Sequence, residues 1–104
     1  YYFNYGAVMY NTGKMDEAVE AFKKATEIDP NFADAYFMQG RALMGKMIMT
    51  PDGKVIAAPG TAEALETYLK LDANGKYAGE AQGMLQTVRG TIETQYKAPK
   101  KKKG

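Results

Sequence analysis

A recurrence at 34 residues constrains this chain more than any other feature of its sequence. Tyr2 and Gly6 return as Tyr36 and Gly40, with Pro30 between them, so one short unit ends at a helix breaker and a second begins in the same register. Inside the first unit, Gly6, Gly13, Ala18, Phe22, Ala25 and Pro30 alternate small, aromatic and breaker residues. Small side chains let two helices approach, and an aromatic ring fills the space that remains between them. A chain of 104 residues built this way is expected to stack helix pairs rather than to form a sheet.

The local signals agree with that expectation. Residues 2 to 12 read as a helix closing at Asn11-Thr12-Gly13, where glycine can take the left-handed conformation of a helix end. A second helix follows, with Asp16 as its expected N-cap and Glu17 and Glu20 near the positive helix start. Ala18, Ala21, Phe22, Ala25 and Ile28 form its apolar stripe. After Asp29-Pro30-Asn31 a third helix carries Ala33, Tyr36, Phe37, Gly40, Leu43, Met44 and Met47.

The second unit then departs from the first. Met9 lies 9 residues before Ala18, but the equivalent Leu43 lies 21 before Ala64, so 12 residues are inserted between the helices. Within the insertion, Pro51-Asp52-Gly53 divides two short apolar runs, which predicts a small β-hairpin. Such a hairpin is marginal alone and is expected to lean on the helices through Ile48, Val55 or Ile56. Pro59-Gly60-Thr61 stops the chain and restarts a helix whose stripe is Ala64, Leu65, Tyr68, Leu69 and Leu71, with Tyr68 in the place of Phe22. A last helix over about residues 76–92 carries Ala78, Ala81, Leu85, Val88 and Ile92 on one face and Glu80, Gln82, Gln86 and Arg89 on the other. Gly79 and Gly83 within it suggest close backbone approach to a neighbour.

Composition excludes most chemistry. The chain has no histidine and no cysteine, which removes the commonest general base, the thiol nucleophile, disulfides and thiolate metal sites. The carboxylate pairs Asp16/Glu17 and Glu63/Glu66 fall in first helical turns, where acids answer the macrodipole. Asp72-x-Asn74-Gly75 lacks the closing glutamate of a calcium loop, since that position is Gly83. The expectation is therefore no enzyme, no cofactor and no metal. There is no apolar run near the roughly 20 residues of a membrane span and no signal-like segment, so the chain reads as soluble. It opens at Tyr1 without an initiator methionine, which leaves an upstream segment and the compartment open.

The pattern GAVMYNTGKMDEAVEAFKKATEIDP, with Tyr2 and Tyr5 ahead of it, resembles the tetratricopeptide repeat (TPR), a helix-turn-helix unit of about 34 residues. Met15 stands where the family usually has an aromatic. The chain is similar to bacterial proteins in which a C-terminal TPR segment follows other domains. The resemblance implies an all-α fold, a short right-handed TPR superhelix of two repeats plus a C-terminal capping helix, with the hairpin inserted in the second repeat. It places a domain at residues 1–94: repeat one about 1–30, repeat two about 31–75 with its insertion about 46–60, and the capping helix about 76–92.

A TPR stack implies a non-catalytic scaffold that holds a peptide or protein partner in a concave groove lined by the first helix of each repeat. By register, that groove takes Phe3, Ala7, Tyr10 and Asn11 from the first repeat and Asp34, Phe37, Arg41 and Met44 from the second. Arg41 suits a carboxylate or a backbone carbonyl, and equally suits a solvated helix position. The lysine, asparagine and arginine clamp of the chaperone-tail-binding subfamily is absent, because the equivalent positions read Phe3, Ala7 and Met38. Two repeats fall short of the usual three, so Tyr1, Tyr2, Phe3 and Tyr5 point to self-association or to upstream repeats meeting this aromatic face.

The charge is divided. Lys97 and Lys100 to Lys103 crowd the end, and without them residues 1 to 96 hold nine basic against twelve acidic residues, a net charge of −3. Such a body has no basic face for nucleic acid or membrane, which leaves only the tail for that role. Residues 95–104 are expected to be disordered, whether as a solubilising end, an electrostatic tether to nucleic acid or anionic membrane, or an artificial end. The alternatives to a groove-binding scaffold are thus the tether and an assembly or regulatory domain of a larger protein.

Overall fold

The computed structural model describes residues 1–53 and 55–101. Its elements are α1 (Tyr2–Asn11), α2 (Met15–Ile28), α3 (Ala33–Met44), β1 (Ile48–Met49), β2 (Val55–Ile56), α4 (Thr61–Leu71) and α5 (Ala78–Lys101). Each helix packs on its neighbours in sequence, α1 on α2, α2 on α3, α3 on α4 and α4 on α5, and α1 also touches α3. This is an all-α stack of helix pairs with one small antiparallel hairpin, Ile48 opposite Ile56 and Met49 opposite Val55.

The turns follow from the residues at them. Gly13 sits at φ 83°, the Gly13 N–H donates to the Tyr10 carbonyl, and the Lys14 N–H donates to the Met9 carbonyl at 2.8 Å, which closes α1. The next helix opens one residue before Asp16: Lys14 is its N-cap position and makes no side-chain cap bond, so Asp16 and Glu17 serve the first turn by charge alone. In the second unit Gly60 is the N-cap residue at φ 89°, and the Thr61 hydroxyl donates back to the Ala58 carbonyl at 2.6 Å.

Two close approaches hold the pairs together. A Cβ on Gly6 would stand 2.8 Å from Phe22 Cε1, and one on Gly40 would stand 2.7 Å from Leu65 Cδ2. The glycines that recur at 34 residues are thus the points where the first helix of each unit meets an apolar side chain of the second. Phe22 and Tyr68, equivalent in sequence, are both completely buried. Phe22 lies in a cluster with Ala18 and Ala42, and Tyr68 lies in one with Phe37, Leu65, Ala78, Ala81 and Leu85.

Three local expectations change. Gly79 and Gly83 face open space, so neither marks a close approach; Gly75 does, packed against the Tyr68 hydroxyl and the Asp72 carboxylate. The hairpin's Ile48 is 59 % exposed and Ile56 37 %, so neither is a buried brace, although β2 runs beside α5. Finally, α5 continues to Lys101, beyond the expected end near residue 92 and into the stretch 95–104 expected to lack order. Its sequence past Val88 holds good helix formers, and lysines near a helix C-terminus answer the macrodipole. Residues 102–104 of that expected tail lie outside the described residues.

Candidate interaction face

The first helix of each unit and α5 meet at Arg41. It is carried by the last turn of α3. Its guanidinium carbon lies 5.5 Å from the ring centre of Tyr10 on α1 and 5.9 Å from that of Phe37, one turn earlier on α3. Its Nη2 stands 3.7 Å from Oε2 of Glu80 on α5. One side chain thereby touches three helices that are not consecutive in the chain, so α1, α3 and α5 present a common face.

Energetics divide these contacts. The Arg41 and Glu80 side chains are 38 % and 45 % exposed, and an ion pair this wet is worth about 0–1 kcal/mol. The ring contacts orient the guanidinium without neutralising it. Arg41 is consequently held in place yet able to exchange its acidic partner.

The eight residues expected along the groove do not share one environment. Tyr10, Arg41 and Met44 are half-buried, Asp34 likewise, and Asn11 is exposed. Phe3 is half-buried because it leans on Phe22, with ring centres 5.7 Å apart, and on Phe32, at 4.9 Å; Ala7 packs against the same cluster. Phe37 is the correction. It is completely buried, stacked on Tyr77 at 4.3 Å with ring planes 2° apart and tilted against Tyr68 at 5.4 Å. The segment entering α5 covers it, so Phe37 supports Arg41 from beneath and offers no surface of its own.

Glu80 and Tyr77 were missed as members of this face. The insertion displaces the last helix from the 34-residue register, so position counting assigns α5 only a covering role. The available signal was the stop at Asp72 to Gly75 followed by an alanine stripe, which repeats the way Asp29 to Asn31 precedes α3.

The more enclosed hollows lie elsewhere. One of about 350 Å3 sits between α1 and α2 and is lined by Tyr2, Tyr5, Asp16, Glu20, Ala21 and Lys24, with Glu17 at its edge. None of the eight expected residues lines it, and the Arg41 face is open rather than a pocket. Among the described residues no group of three or more acidic residues is placed to hold a metal ion. No helix among them is long and apolar enough to cross a membrane.

Helix pairs repeated at a fixed spacing, with the first helices sharing a face, define an α-helical repeat protein. Residues 6–46 match the family model described as TPR repeat, and the chain belongs to the TPR family through that stretch. No curated protein matches the chain. TPR repeats generally mediate protein–protein interaction and act as scaffolds without catalysing a reaction.

Proposed function

We propose that this chain is a non-catalytic interaction module that binds an extended peptide or a protein segment across α1, α3 and α5. Arg41 carries the reading. It is a cation oriented by two rings and paired only weakly with Glu80, so an incoming carboxylate or main-chain carbonyl can take the place of Glu80 at little cost. Tyr10 supplies an amphipathic anchor beside it, and Asn11, Asp34 and Met44 extend the surface, with Phe3 and Ala7 toward the start of α1. Helices that are already packed present these groups with little further ordering, which favours binding by reducing its entropic cost.

Peptides selected on the chain from a displayed random library test this. Arg41→Ala and Tyr10→Ala are each expected to weaken the selected peptides at least about tenfold, as loss of an interface anchor does. Arg89→Ala, which breaks only the 2.5 Å pair with Glu66, is expected to leave binding unchanged. Selected peptides that bind all three variants as tightly as the parent would move the interaction off this face.

A further inference from the structure

A second surface is built on α1, on the side away from Arg41's partners. The first thirteen residues contain no charged side chain, in a chain that is 25 % charged, and α1 has neither an acid in its first turn nor a base in its last. Tyr1, Tyr5 and Val8 follow one another at helical spacing and are 88, 43 and 54 % exposed. The Tyr1 and Tyr5 rings stack on each other with centres 6.4 Å apart, which presents one continuous aromatic ridge. The ridge continues over Ile28 and adjoins a hollow of about 200 Å3 floored by Tyr2, Phe3, Ala25 and Phe32.

The repeat itself shows what is unusual here. Shifted by 34 residues, Tyr1 and Val8 correspond to Ala35 and Ala42, which are completely buried on α3; Ala42 packs against Ala18 and Phe22 of α2. The face of α3 that receives α2 is made of alanines, and small side chains are what allow that approach. A tyrosine and a valine at the same positions hold off any helix that would dock as α2 does. The ridge is therefore not a copy of the surface on which one unit follows another.

We infer that this ridge is a homodimer interface, on which a second copy of the same chain docks through its own Tyr1, Tyr5 and Val8. In a two-fold pairing each residue near the axis faces its own counterpart, so charged residues there would repel, and α1 has none. Head-to-tail stacking lacks a matching surface, because Gln82, Gln86 and Arg89 leave the outer side of α5 exposed and polar. With the two α1 helices antiparallel, Tyr5 lies near the axis, Tyr1 reaches the far end of the opposite ridge, and the hollow beside Ile28 has room for an aromatic side chain. The surface is independent of the Arg41 face, so a dimer leaves that face open in both copies.

Sedimentation velocity over a concentration series, with the full chain, tests the inference. The parent is expected to sediment as a dimer that dissociates on dilution. Tyr5→Glu places two carboxylates together at the axis and is expected to weaken association on the order of 100-fold, with unchanged circular dichroism because Tyr5 is partly exposed. A second variant does not depend on that outcome: Tyr5→Cys, in a chain with no other cysteine, is expected to form a disulfide-linked dimer on mild oxidation, whereas Gln86→Cys is not. A parent that stays monomeric at every concentration overturns the inference and leaves the ridge to a different protein's helix. A dimer that survives Tyr5→Glu, or that cross-links through Gln86→Cys instead, overturns it as well.

Discussion

Tyr68→Ala is expected to destabilise the chain by about 3–5 kcal/mol, a large part of what holds a domain of this size together. Tyr68 is completely buried, its ring lies against Phe37 and Tyr77, and its hydroxyl accepts the Tyr77 N–H at 3.0 Å. Truncation leaves a cavity where α3, α4 and α5 meet and strips a half-buried amide of its acceptor. Tyr68→Phe separates the two effects: the ring stays, the acceptor goes, and the expected cost is about 1–3 kcal/mol. Urea unfolding followed by circular dichroism reads both. Equal losses for the two variants would mean that the hydrogen bond, and not the ring, positions α5.

In the first unit, Phe22→Ala is expected to cost about 3–5 kcal/mol and Gly6→Ala about 1–3 kcal/mol, the first by opening a cavity and the second by overfilling one. The two changes act on the same space, because a Cβ on Gly6 would stand 2.8 Å from the Phe22 ring. Combined, they are expected to cost less than their sum by about 1 kcal/mol or more, since the added methyl enters the volume the ring has left. The same urea measurement on the single and double variants gives the coupling. Strict additivity would show that Gly6 is required for some reason other than this contact.

The recurrence that places Gly6 and Gly40 against Phe22 and Leu65 was legible because it depends on local rules. Small residues, an aromatic and a breaker at fixed spacing prescribe two helices and the places where they touch. Gly13 and Gly60 were legible for the same kind of reason, since a left-handed turn selects glycine from a short stretch of chain. The hairpin followed from Pro51-Asp52-Gly53, although its exposed Ile48 and Met49 did not, because alternation in two-residue strands says nothing about which neighbour covers them.

The candidate interaction face was only partly legible. Tyr10 and Arg41 come from register alone, but Glu80 meets them across a chain separation that includes the insertion and all of α4. Phe37 shows the opposite failure. Its position on α3 is the one expected for a groove residue, and it is lost to the surface because Tyr77 stacks on it.

The sequence by itself determined the helix pairs, their boundaries at glycine and proline, and the small-against-large contacts inside each pair, because those depend on backbone preference and on residues within one unit. Only the tertiary structure decided that α5 returns to bury Phe37 and bring Glu80 to Arg41, and that the α1 ridge stays uncovered while the matching face of α3 is buried. Both are outcomes of which helix lies beside which after a 12-residue insertion, and no local spacing rule carries that information.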